Sequence, residues 1–186
     1  MVSIIDRFRI ANLVKFGDGD INLMGLPVCM IPICMLVEIQ KTLIKDLGYE
    51  KAYEKLYESA KYSSKQYNDR FIVKYGLKDR RKLLEWQTNI VTCAGWGRLE
   101  ISKIDFENKE WRVHIIEGPF AREYGKAPYP VDIITTGFIA GGLCSTLDFD
   151  VDAIETNCVA MGDSYCNVLV AEPDKIAEMR AKRGDK

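Results

Sequence analysis

Histidine is almost missing from this chain: His114 is the only one among 186 residues. A single imidazole on an expected strand is more often a half-buried structural residue than an acid–base catalyst, and neither a Ser-His-Asp nor a Cys-His arrangement can be assembled. A surplus of charge is missing too. The 26 basic and 27 acidic side chains leave a formal charge of −1, so no overall field draws the protein to nucleic acid or to anionic lipid. Long hydrophobic runs are absent. The richest stretch, Ile21 to Leu47, is interrupted by Asn22, Pro27, Pro32, Glu38, Gln40, Lys41, Lys45 and Asp46, whereas a membrane-spanning helix needs roughly 18 apolar residues in succession. The opening segment, Met1 to Arg9, breaks its apolar residues with Asp6, Arg7 and Arg9. That denies a signal peptide its core, and the segment reads as structure. Gly17-Asp-Gly-Asp20 lacks the other oxygen ligands of a calcium loop, Gly95-Trp-Gly97 is no phosphate-binding motif, and no nicotinamide or flavin fingerprint occurs.

What is present suffices for one domain, since 47% of the residues are apolar and 10% aromatic, enough for a real core at this length. Residues 1–172 read as that domain. Residues 173–186 alternate charge without an apolar face and read as a frayed or disordered tail. Six cysteines, Cys29, Cys34, Cys93, Cys144, Cys158 and Cys166, without an export signal point to a reducing, cytoplasmic setting in which thiols serve as core residues, ligands or redox groups. Cys29 and Cys34, too widely spaced for a thioredoxin-type pair, read as core thiols.

Spacing organises the rest. Ile21 to Met30 suits a short buried strand. Apolar residues at three- and four-residue intervals predict a helix from Ile33 to Gly48, a second from Tyr49 to about Tyr67, and a third from Asp79 to Ala94. Leu99–Phe106 and Trp111–Ile116 alternate as an antiparallel hairpin. A Gly- and Pro-containing loop then leads to a helix opening at Pro130, whose Gly137, Ala140, Gly141 and Gly142 permit close backbone packing. Phe149–Ala160 and Tyr165–Ala171 form a second hairpin about Met161-Gly-Asp-Ser164. Hairpins grouped with helices predict an α+β domain with helices packed on an antiparallel sheet.

The second hairpin carries the chemistry. Were its turn closed by three residues, Cys158 and Cys166 would face each other across the ladder with Cβ atoms roughly 4.5–5.5 Å apart, close enough for two thiolates to share a tetrahedral ion. Glu155 would be a third ligand, but a regular strand turns Glu155 and Cys158 to opposite faces, so a bulge has to intervene. The alternative is that both cysteines are small buried hydrophobes and Glu155 a solvated strand residue. Trp96, Trp111 and Phe138 are candidates to line a ligand pocket, and ordinary core packing accounts for them equally well. The tyrosines from Tyr49 to Tyr62 read as core and rim packing.

The stretch Tyr129-Pro-Val-Asp132, Gly137-Phe-Ile-Ala-Gly-Gly142 and Glu155-Thr-Asn-Cys158-Val-Ala-Met-Gly162-Asp163-Ser-Tyr-Cys166, about forty residues long, resembles the C-terminal half of the 4-vinyl reductase domain family. Its most specific part is the Glu-x-x-Cys-x-x-x-Gly-Asp/His-x-x-Cys pattern after a Gly-rich helix. The resemblance implies a fold similar to TRAPP-type tethering subunits, with an enclosed apolar cavity, a C-terminal metal-binding hairpin and a homodimer. It extends to phenol-responsive bacterial activators, to an accessory protein of chlorophyll-type pigment synthesis and to stand-alone archaeal proteins. In the aromatic sensors zinc is held by a Cys, a Glu and two further Cys. The last three fall on Glu155, Cys158 and Cys166 and the first on Asp132, a harder donor with the same formal charge. The expected function is binding of a small apolar or aromatic molecule, as sensor or carrier, with structural zinc. The alternatives are an accessory protein or enzyme acting on a tetrapyrrole or similar substrate, and a regulatory interaction subunit.

Overall fold

The computed structural model describes residues 3–184; Met1 and Val2 of the opening segment and Asp185 and Lys186 of the expected tail lie outside them. Helix α1 (Ile4–Ala11) is capped by the Ser3 hydroxyl. Three short strands follow, β1 (Val14–Phe16), β2 (Ile21–Leu23) and β3 (Leu26–Val28), paired antiparallel in that order. The single strand expected over Ile21–Met30 is therefore a hairpin. Met24 and Gly25 both take positive φ, 56° and 73°, and a turn of that hand closes a two-residue loop.

Three helices come next: α2 (Ile33–Leu47), α3 (Tyr49–Tyr75) and α4 (Arg80–Cys93). Helix α3 runs eight residues beyond its expected end at Tyr67, because Asn68 and Phe71 continue the buried face begun by Tyr53, Tyr57, Ala60 and Ser64. Its stop is Gly76 in the left-handed region at φ 60°, the conformation glycine adopts without penalty. Asp79 caps α4 through the backbone N–H groups of Arg81 and Lys82. Strands β4 (Arg98–Asp105) and β5 (Glu110–Ile116) form the first long hairpin. What the sequence suggested as loop after Gly118 contains a short helix, α5 (Pro119–Tyr124), whose Phe120, Ala121 and Tyr124 are buried.

Helix α6 (Ile133–Leu147) begins three residues after Pro130 and lies so close to α3 that only glycine fits at two positions. A Cβ on Gly137 would lie 2.4 Å from the Tyr57 carbonyl oxygen, and one on Gly141 2.1 Å from that of Lys61. The second hairpin, β6 (Asp152–Asn157) and β7 (Cys166–Ala171), completes a four-stranded antiparallel sheet in the order β4-β5-β7-β6. Central β7 is buried at every residue because both faces are covered. Val168 and Val170 join the main core with Trp111, Val113, Ile115 and the helices, whereas Leu169 and Ala171 pack with Ile154 against Ile176. Ile176 belongs to α7 (Pro173–Gly184). The C-terminal segment is thus a docked helix where a frayed or disordered tail was expected. Ile176, fully buried, anchors it, while Arg180 and Arg183 donate to the Ala153 and Glu155 carbonyls of edge strand β6.

Candidate metal centre and apolar cleft

Four groups able to carry negative charge converge where β6, β7 and the start of α6 meet. The ligand atoms of Glu155, Cys158 and Cys166 lie within 4.8 Å of one another, and all three residues are buried. The pairing of β6 with β7 slips between Glu155 and Asn157. This irregularity at Thr156 is the bulge that lets an odd separation put Glu155 and Cys158 on one side. Pairing ends at Asn157 opposite Asn167, so Cys158 and Cys166 stand in the next register position. Asp132 enters from the other side as the N-cap residue of α6. It is 1% exposed, and its backbone N–H donates to Glu155 Oε2 at 2.9 Å.

The turn is built around the cysteines. Gly162 takes φ 105°, and the Asp163 carboxylate accepts the Cys158 N–H at 2.7 Å and reaches the Asn157 side chain. The Val159 N–H points at Cys166 Sγ, 3.3 Å away. Behind Asp132, the Gln40 side chain of α2 donates to the Val131 carbonyl at 2.9 Å and the Tyr49 hydroxyl to that of Pro130 at 3.1 Å. Neither Gln40 nor Tyr49 was singled out from the sequence; both sit in helices whose apolar spacing concealed their polar ends.

The electrostatics of this cluster are uncompensated. Burial pushes the Asp132 carboxyl up to about 6, with Cys158 adding to the rise. Burial, then the Asp132 charge, holds the Glu155 carboxyl well above its usual range. Of the two thiols, Cys158 is drawn down because Cys166 hydrogen-bonds to it, and Cys166 is driven up for the reciprocal reason. Among the described residues no ion pair involves Asp132 or Glu155; the nearby Arg183 donates to the Glu155 backbone and not to its carboxylate. Both carboxylate oxygens of Asp132 and Oε1 of Glu155 are buried without a hydrogen-bond partner. Such oxygens each cost about 1–3 kcal/mol or more when left unmatched. Two carboxylates and two sulfurs with this deficit are a donor set suited to a divalent cation.

A second feature lies between the helices, β4–β5 and the small N-terminal sheet. It is a cleft of about 810 Å³ whose walls carry Leu23, Phe71, Leu84, Ile101, Ile134 and Leu143 among other apolar residues. Trp96 and Phe138 are on its wall, stacked at 5.6 Å. Trp111 is not; it is fully buried between Phe106 and Phe149. The cleft's polar groups, Ser64, Tyr67, Asn68, Gln87 and Thr88, were not foreseen. Ser64 and Asn68 extend the buried face of α3 at four-residue spacing; Ser64 was masked by the polar residues around it, and Asn68 fell beyond the expected helix end at Tyr67. His114 lies outside both sites, on β5, beside Ser102 and the ring of Tyr165.

No protein-family model matches this chain. A stretch of 98 residues is 33% identical to an uncharacterized protein of Methanocaldococcus jannaschii, covering 53% of this chain and 56% of that one, so the chain spans little more than half the length of that curated relative. Among solved structures, the phenol-responsive sensory domain of the transcription activator PoxR, in complex with phenol, superposes with a TM-score of 0.81 at 18% identity, over 97% of this chain and 98% of its own. A vinyl-4-reductase family protein from Methanocaldococcus jannaschii gives 0.55 at 19% identity, covering 78% and 83% of the two chains. A trafficking protein particle complex subunit 3 from Naegleria fowleri, covalently bound to palmitic acid, gives 0.53 at 16% over 75% and 93%. Three of the groups named by the resemblance at residues 129–166, the phenol-responsive activators, the 4-vinyl reductase family and the TRAPP-type subunits, thus recur among proteins of this fold.

Proposed function

We propose that this chain is a small-molecule-binding module whose cleft takes an apolar or aromatic guest, as sensor or carrier, and whose Asp132, Glu155, Cys158 and Cys166 hold a structural zinc ion. The observation that carries the reading is the cleft: about 810 Å³ of space walled by uncharged, mainly apolar side chains, within the size range of small-molecule sites. A fold shared over nearly its full length with a phenol-responsive domain supports it.

The metal half rests on the three orphaned carboxylate oxygens and two sulfurs described above. Four protein donors leave a zinc ion no open position, so its contribution would be charge compensation and cross-linking of the hairpin to the start of α6. The chain's own part is to hold the donors: the Thr156 bulge aligns Glu155, the Asp163 carboxylate fixes Cys158, and Gln40 and Tyr49 restrain the segment carrying Asp132. The same resemblance makes a homodimer in the cytoplasm part of the proposal. Ile4, Ile5 and Phe8 of α1, 60–73% exposed, offer an apolar face for it.

Native mass spectrometry of the purified protein, paired with elemental analysis, tests both halves. A retained small molecule and about one zinc per chain are expected; protein without metal, and without affinity for any apolar compound, overturns the reading.

A further inference from the structure

We infer that the preferred guest of the cleft is a neutral molecule larger than one aromatic ring and bearing a hydroxyl group, and that carboxylates are rejected. This rests on the proposed binding role and deepens it by naming the ligand class.

Size comes first. A cavity of roughly 150 Å³ already accepts a benzene ring, so about 810 Å³ has room for several rings or a long chain. Charge comes second. No Lys, Arg, His, Asp or Glu contributes to the walls, and an anion carried into them would lose its hydration without a counter-charge.

Hydrogen bonding decides the rest. The polar groups of the wall cluster on α3 and α4, and their donors are already engaged within the protein. Ser64 donates to the Phe138 carbonyl at 2.7 Å, Asn68 to the Ser64 carbonyl at 2.8 Å, Gln87 to Asn68 Oδ1 at 2.7 Å and Thr88 to the Leu84 carbonyl at 2.8 Å. Tyr67 donates to the Leu23 carbonyl at 3.3 Å. Asn68 Oδ1 accepts that one bond from Gln87, and Gln87 Oε1 accepts one from the Thr146 hydroxyl at 2.8 Å. What these residues keep is their remaining acceptor capacity, a second lone pair on each of these two oxygens together with those of Thr88 Oγ1 and the Tyr67 oxygen. Among the described residues the wall's strong donors outside these bonds are few, the indole N–H of Trp96 and the hydroxyl of Ser63, which is exposed at the rim; the free thiols of Cys29 and Cys93 add only weak donors. A hydroxyl group, which donates one hydrogen bond and accepts others, matches that inventory. A carboxylate, which only accepts and wants several donors, does not.

The test titrates the purified full chain, stripped of any retained molecule, with 1-dodecanol, dodecanoate at pH 8, dodecane and phenol, followed by tryptophan fluorescence and by thermal shift. Dodecanol is expected to bind about tenfold or more tighter than dodecanoate, and tighter than dodecane and phenol. Thr88→Val, near in shape, should narrow the gap between dodecanol and dodecane several-fold while leaving dodecane binding unchanged. Dodecanoate binding as tightly as dodecanol, or phenol as tightly as dodecanol, overturns this inference and leaves the binding role standing. Failure of all four compounds to bind overturns both.

Discussion

The two sides of the α6 helix make opposite demands on their surroundings. Toward α3 the packing is so tight that a single methyl group has no place, as Gly137 and Gly141 show. Toward α4 and the small N-terminal sheet the same helix borders about 810 Å³ of open space. At its N-terminus, Asp132 joins a cluster that is well packed and electrostatically unmatched. One region therefore lacks contacts and the other lacks counter-charge, and each lack indicates a different guest. Most of the donors around the cleft are satisfied from within, so what it can gain is apolar contact and a hydrogen bond donated to its spare acceptors. The cluster has its contacts, so what it can gain is positive charge.

Breaking the charged side should have the largest effect. Cys158→Ser removes one of the four donors of the proposed zinc site, and since structural metal binding is also folding energy, a loss of about 3–5 kcal/mol is expected. That corresponds to a melting temperature lower by roughly 10 °C, together with loss of metal by elemental analysis. A parent free of metal and a variant that melts like it would reduce both cysteines to packing residues.

Adding volume to α6 sharpens the contrast between its two faces. Gly141→Ala drives a Cβ against the Lys61 carbonyl and should cost about 1–3 kcal/mol in chemical denaturation. Ile134→Phe, seven residues earlier on the cleft wall, should change stability by less than about 1 kcal/mol while weakening ligand binding. Equal destabilisation by the two would mean that the cleft is no roomier than the α3–α6 contact.

The smallest effect concerns a carboxylate that, unlike Asp132 and Glu155, has its counter-charges. Glu110 sits among Lys103, Lys175 and Arg112, and its hydrogen bonds to Lys175 and Lys103 hold its carboxyl below the ordinary range. A depressed folded-state value means the group stabilises the fold above its unfolded value and loses that contribution as pH falls through the folded one. Glu110→Gln should therefore flatten the acid limb of a stability-versus-pH curve, by no more than about 1 kcal/mol at this partly solvated network. A pH profile identical to that of the parent would remove Glu110 from the account.

Much of the α+β architecture was legible from residue spacing, because helix and strand periodicity reflect which face is buried. The starts of α2 and α4, the two long hairpins and the glycine-lined face of α6 all follow from it. So did the need for a bulge near Glu155, since a period of two is a geometric fact. The errors have two causes. The docking of α7 and the helix at Pro119–Tyr124 depend on tertiary contacts that local periodicity does not encode, whereas α3 continues the buried face of its own spacing through Asn68 and Phe71. Ile176, with Met179 beside it, packs the last helix on the sheet.

By itself the sequence determined which residues lie on which face of each element, and hence that Glu155, Cys158 and Cys166 could meet at one turn. The resemblance added Asp132 to them; only the tertiary structure decided that its N-cap position on α6 brings it to the hairpin, that no basic side chain pairs with its carboxylate among the described residues, and that most donors beside the cleft point back into the protein. Periodicity is a property of neighbouring residues, whereas charge balance and free space arise where distant segments meet.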